Sequence, residues 1–157
     1  MSIFMKYEGV TGESDLNGAS GFIRLHAFHW GASRSVSTMR AASRGNTEPT
    51  VQDVQVTKAM DATSVQLTHQ ALLGSFDREV EIHFVRTGQS GPEAFAVYKL
   101  KDCGVSSYEI AAGADGQPEE RLTLNFTEIQ FTFTAYSDAL SGVPDSMFYT
   151  LPSATGG

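Results

Sequence analysis

One cysteine, Cys103, is all that this 157-residue chain carries. An intrachain disulfide and a cysteine-based zinc site are both excluded on that count. With Leu100, Val105 and Tyr108 for neighbours, the expected state of Cys103 is a buried, inert thiol. Basic residues are also scarce: Lys and Arg total 11 against 18 Asp and Glu, for a net charge of −7. Neutralising phosphates requires clustered Lys and Arg, so a general nucleic-acid binder is excluded. An excess of one sign suits a protein that must stay soluble at high concentration. No stretch approaches the ~20 apolar residues of a membrane span, so no membrane insertion is expected. The opening Met1-Ser-Ile-Phe-Met-Lys-Tyr lacks a basic region followed by a long apolar run. The chain is therefore expected to be made and folded in the cytoplasm, and any export to use a route that reads no signal peptide.

Catalytic patterns are missing too. There is no Gly-x-Ser-x-Gly elbow, and Gly88-Gln-Ser-Gly91 has the wrong spacing and reads as a hairpin turn. No glycine pattern for a dinucleotide or a phosphate is present. His26 and His29 are the closest histidine pair. Residues three apart on a strand point to opposite faces, so the two do not share a metal. His69 reads as a surface residue of a helix. Glu79 with Glu81 and Glu119 with Glu120 lie beside turns or on polar strand faces, where a solvated face is the expectation. No catalytic residue, metal or cofactor is expected.

What is present describes one β-rich domain. Apolar residues make up 41% of the chain and aromatics 10%, and 15 glycines punctuate short β-branched and aromatic runs. Strands are expected at Ile3 to Tyr7, Phe22 to Trp30, Val51 to Thr57, Val80 to Arg86, Ala94 to Lys101, Val105 to Ala111 and Arg121 to Tyr136. In the Phe22 run, Phe22, Phe28 and Trp30 share one side with Arg24 and His26, while Ile23, Leu25 and Ala27 take the other. Both faces carry apolar groups, so contact on both sides is expected, with Phe22, Phe28 and Trp30 a core or subunit-contact strand. One helix is expected from Ser64 to Leu73. Thr63 with Gln66 fits a capping box, Gly74 supplies the stop, and Val65, Leu67, Ala71, Leu72 and Leu73 form a stripe to pack on the sheet.

The last run changes phase. Leu122, Leu124 and Phe126 alternate inward on even positions, and Ile129, Phe131 and Phe133 on odd ones, so a bulge or bend is expected near Thr127-Glu128. The domain is expected to occupy 1–136. The remainder, 137–157, reads as a loose, partly mobile tail except at Met147-Phe148-Tyr149. Between Asp15 and Glu48 there is no acid, while Arg24, Arg34, Arg40 and Arg44 all fall there. The long segment from Gly31 to Thr50 is thus a basic loop in an acidic protein.

The order of several blocks resembles the haemolysin-coregulated protein (Hcp) family, the tube subunit of type VI secretion. These are Ile3-Phe-Met-Lys-Tyr-Glu-Gly-Val-Thr-Gly-Glu-Ser14, Phe28-His-Trp-Gly31, Val56-Thr-Lys-Ala-Met-Asp61 running into the helix, Ile82-His-Phe-Val-Arg-Thr-Gly88, Tyr98-Lys-Leu-Lys-Asp102, Val105-Ser-Ser-Tyr108 and Glu120-Arg-Leu-Thr-Leu-Asn-Phe126. The resemblance implies a mainly β fold, a two-sheet β-barrel with one flanking α-helix, forming hexameric rings that stack into a secreted tube. Its implied partners are further copies of the chain, effector proteins held in the lumen, and the spike and sheath of the apparatus. Arg34, Arg40 and Arg44 are the candidate ring-stacking loop. Thr123, Asn125 and Gln130 lie on polar faces from which a pore lining could be drawn. The family often has Ser-Pro where this chain has Ser64-Val65, a change without expected functional cost. Two other readings share the fold class: the tail tube of a phage or contractile injection particle, and a monomeric ligand-binding or enzymatic small barrel.

Overall fold

The structure, a computed structural model, describes residues 1–36, 48–88, 91–136 and 141–152. Among these described residues, eleven strands and one helix follow in chain order: β1 (Ser2–Tyr7), β2 (Ile23–Leu25), β3 (Ala27–His29), β4 (Ala32–Ser33), β5 (Thr50–Val51), β6 (Val54–Ala59), α1 (Ser64–Leu73), β7 (Arg78–Gly88), β8 (Gly91–Ala111), β9 (Glu119–Asn125), β10 (Glu128–Tyr136) and β11 (Ser141–Thr150). All of the strand pairings among the described residues are antiparallel.

The long strand β8 organises the molecule. Its first half lies between β7 and β10, which extends one sheet to β2-β1-β7-β8-β10-β11. Its second half pairs with β9, in a second sheet of order β3-β6-β9-β8. The corner between them lies at Asp102, whose φ of 49° is left-handed, a conformation that Asp tolerates better than most side chains. Beside it, the β9–β10 chain turns at Phe126-Thr127. The Thr127 N–H donates to the Lys101 carbonyl at 3.0 Å and the Thr127 hydroxyl to Asp102 Oδ2 at 3.0 Å. The phase change expected near Thr127-Glu128 is this corner: Leu122, Leu124 and Phe126 are buried before it and Ile129 after it.

The two sheets do not close into a barrel. Their hydrogen-bonded path is open, with β2 and β3 as its ends. The reason is local. The expected Phe22 to Trp30 strand is broken at His26, where the chain leaves β1 and joins β6: Leu25 pairs with Ile3, and Ala27 with Thr57. One short run of chain thus serves both edges, and the inward parity switches from Ile23 and Leu25 to Phe28.

Between the sheets lies the main core, which includes Met5, Tyr7, Ile23, Leu100, Leu122, Leu124 and Ile129, all at most 1% exposed. Each such side chain contributes on the order of 1.5–3 kcal/mol of burial. Cys103 is buried in this core, and burial pushes its thiol up to about 12, the inert state expected of it. A smaller cluster of Phe4, Ala19 and Val85 lies on the opposite face, with Leu16 and Phe22 packed against it. The segment folding over it is cross-tied, the Gly12 N–H donating to Gly21 O at 2.7 Å and the Gly21 N–H to Ser14 O at 2.8 Å. A Cβ on Gly12 would run into the Phe22 carbonyl, so only glycine fits that crossing.

The helix differs from the expected packing. Leu67 is buried and Ala71 packs against the core, but Val65, Leu72 and Leu73 are 80%, 75% and 77% exposed. At 100° per residue, Ser64, Leu67 and Ala71 fill the arc facing the sheet, and Val65, Leu72 and Leu73 fall outside it. Capping differs as well: Thr63 makes no side-chain cap, and Asp61 Oδ1 accepts the Thr63 N–H at 2.8 Å instead. Gly74 ends the helix as expected, its N–H donating to Gln70 O at 3.0 Å. Past Tyr136 the chain continues into β11, paired along the length of β10 from Glu128↔Thr150 to Tyr136↔Ser141.

Candidate assembly surfaces

Strand alternation places an unexpected pair at the foot of the helix. Along β6, Val54, Val56 and Lys58 point inward, and along β9 so do Glu120, Leu122 and Leu124. Register sets Lys58 directly opposite Glu120. Both side chains are fully buried, with Nζ 2.6 Å from Glu120 Oε1. The ammonium's other two donors reach Asp61 Oδ1 at 3.0 Å and the Ala59 carbonyl at 2.9 Å, which uses all three. Glu120 Oε1 also accepts the Ser64 hydroxyl at 2.7 Å, and Oε2 accepts the Tyr108 hydroxyl.

A buried ion pair is tolerated only when its remaining hydrogen-bonding capacity is filled in this way. The network ties β6, β8 and β9 to the first turn of α1, whose N-terminal end favours a carboxylate. Burial would raise the Asp61 carboxyl, but the Thr63 hydroxyl, the Lys58 ammonium and the Thr63 N–H outweigh it and hold Asp61 below the usual carboxylate range. Glu120 corrects the sequence reading of Glu119-Glu120 as a solvated pair: Glu119 is exposed, Glu120 is not.

The other end of the core is aromatic. Phe28 of β3 lies 5.0 Å from the Tyr98 ring and edge-on to Phe84 at 5.2 Å. Tyr98 stacks on Phe131 at 4.6 Å, and Trp30 sits 6.0 Å from Tyr98. A bulge in β8 between the pairs Phe84↔Ala96 and Val85↔Ala94 places Phe95 between Phe84 and Phe133, 6.4 Å from each. The inward face of β10 and β11 starts buried at Ile129 and opens steadily: Phe131 is half-buried, while Phe133, Met147 and Val143 are 46%, 51% and 55% exposed. The cover supplied by β3 stops at Phe28 and Trp30. Beyond them nothing among the described residues lies over this face.

The residues singled out from the sequence are dispersed. Phe22 packs under the outer cluster, edge-on to His83 at 5.0 Å. Phe28 and Trp30 join the main core, and the Trp30 Nε1–H donates to Gln52 O at 2.9 Å. Arg34 follows β4, whereas Arg40 and Arg44 lie outside the described residues. Asn125 donates to Asp53 Oδ1 at 3.0 Å on the outer side of β9. Among the described residues no group of three or more His, Cys, Asp or Glu side chains is placed to hold a metal. No helix there is long and apolar enough to cross a membrane. Sequence reasoning missed the Lys58–Glu120 pair and the open face, although alternation in β6 and β9 marks both members of the pair as inward.

This two-sheet β domain, with one long strand shared between the sheets and a docked helix, superimposes on type VI secretion proteins. A structure described as a type six secretion system protein matches with a TM-score of 0.84 at 22% identity, covering 96% of this chain and 95% of that one. Hcp1 from Salmonella typhimurium matches at 0.76 and 19% identity, over 96% and 94% of the two chains. A type VI secretion system effector from Yersinia pestis matches at 0.74 and 19%, over 95% and 99%. No curated protein matches by sequence. The family described as "Type VI secretion system effector, Hcp" matches residues 4–133, and the chain belongs to it.

Proposed function

We propose that this chain is a structural subunit of the type VI inner tube and not an enzyme, assembling as homohexameric rings that stack and are secreted. The observation that carries this reading is the family match across residues 4–133, on a fold whose helix and sheet both leave apolar surface uncovered. In this reading the chain folds in the cytoplasm and meets spike and sheath components there. It leaves as part of the tube, carrying or stabilising effector proteins in the ring's lumen. Arg34, Arg40 and Arg44 form the ring-to-ring contact, and the polar faces of Thr123, Asn125 and Gln130 supply candidates for the pore wall.

Size-exclusion chromatography with light scattering tests the ring. The expected mass is six times that of the 16.9 kDa chain. A monomer at every concentration overturns the reading and points to a monomeric ligand-binding domain. Stacking is tested separately: Arg40→Glu with Arg44→Glu leaves hexamers intact and shortens or abolishes tubes in electron micrographs. Unchanged tubes remove the arginine loop from the account.

A further inference from the structure

Among the described residues two apolar surfaces stand open, and they differ in shape. One is a helical ridge. On α1, Val65, His69, Leu72 and Leu73 occupy one contiguous arc, all exposed, and the sequence SVQLTHQALL has no Asp, Glu, Lys or Arg. A surface helix ordinarily turns a charged face to water. The other is the sheet face where β10 and β11 outrun their cover. There Phe131 faces Met147, Phe133 faces Asp145, and Ala135 faces Val143. These residues line one side, with Asp145 the only charged group among Phe131, Phe133, Ser146 and Met147 around a shallow cavity of about 220 Å³.

The two surfaces lie at opposite ends of β8. The helix docks beside its second half, where Ser64 and Tyr108 meet on Glu120 and a Cβ on Gly104 would stand 2.6 Å from the Phe76 ring. The open face flanks its first half, where β10 pairs with Ala96–Lys101. Each surface also has one polar, hydrogen-bonding side chain near its middle, the His69 imidazole on the ridge and the Asp145 carboxylate on the sheet. Placing the sheet patch against its own copy would set carboxylate against carboxylate, whereas a His69 ring N–H can donate to the Asp145 carboxylate. Placing one against the other covers both and pairs the polar groups.

We infer that the α1 ridge of one copy, through His69, Leu72 and Leu73, seats on the β10–β11 face of the next, through Phe133, Asp145 and Met147. Such a contact is heterologous: it leaves one free patch of each kind at the ends of any open assembly, and it is satisfied throughout only when the assembly closes on itself. The inference deepens the ring reading and rests on it, because it names the surfaces through which neighbours in a ring touch.

Cysteine pairing tests it cleanly, since Cys103 is fully buried. Leu72→Cys and Met147→Cys are prepared as separate full-length variants and oxidised alone or mixed in equal amounts. The mixture is expected to give disulfide dimers and either variant alone to stay uncrosslinked. In parallel, Leu73→Asp and Phe133→Asp are each expected to move the association midpoint to at least roughly tenfold higher protein concentration, the scale of a buried interface residue. Circular dichroism and thermal unfolding of the diluted monomers are expected to match the parent. If the parent chain scatters as a ring but the mixture does not crosslink, or each variant crosslinks with itself, this pairing is overturned while the ring stands. If the parent itself is monomeric, the ring reading fails first.

Discussion

The two ends of the core solve opposite problems. At the foot of the helix, Lys58 and Glu120 are charged, fully buried and matched to partners from β6, β8, β9 and α1. At the far end, Phe133, Met147 and Val143 are apolar and face water. A monomer optimised alone would do the reverse, with charges at the surface and aromatics inside. The polar end is complete within one chain. The apolar end is finished only by something outside it, and the difference separates what holds the fold from what is left for assembly.

Breaking the polar end should have the largest effect. Lys58→Met strands Glu120 in the core and is expected to lower stability by about 3–5 kcal/mol in urea unfolding, whereas Lys58→Met with Glu120→Leu recovers most of that loss. A single-variant loss below about 1 kcal/mol would mean that water reaches the pair and that the contrast drawn between the ends is false. Truncations come next. Leu100→Ala, in the closed part of the core, is expected to cost about 2–5 kcal/mol. Met147→Ala, on the same sheet's open face, should stay within about 0.5 kcal/mol for the dilute monomer. Equal losses at the two positions would show the β10–β11 face to be covered within the chain.

The smallest effect is on pH. Asp61 is held below its ordinary 3.8, so its ionised form favours the folded state. That contribution is fully present above 3.8 and is lost as pH falls through the lower folded value. Asp61→Asn should therefore narrow the stability difference from the parent as acid is added, read as converging thermal midpoints below pH 3.8.

Much of this architecture is legible in the sequence, for identifiable reasons. The corner at Thr127 shows as a change of parity between Phe126 and Ile129, because a one-residue slip reverses the buried face. The helix shows through its length and its Gly74 stop. Its orientation does not, since Val65, Leu72 and Leu73 look like core residues until the sheet claims the arc of Leu67 and Ala71. The break at His26 hides because both of its short strands carry large apolar groups. β11 hides because Pro144 and Asp145 interrupt its alternation. Lys58 and Glu120 each stand in an inward phase, but only the register of β6 against β9 turns two awkward charges into a pair.

The corner at Asp102 has a mechanical side. From Ala96 to Lys101, β8 is bonded to a neighbour on each edge, and from Gly104 onward to β9. A pull directed along β8 would strain those ladders in shear, many bonds at once. A pull on β11, which among the described residues pairs only with β10, would peel its bonds away in succession. With the helix anchored beside one half of β8 and the open sheet attached to the other, tension between the two patches passes along the strand best placed to bear it.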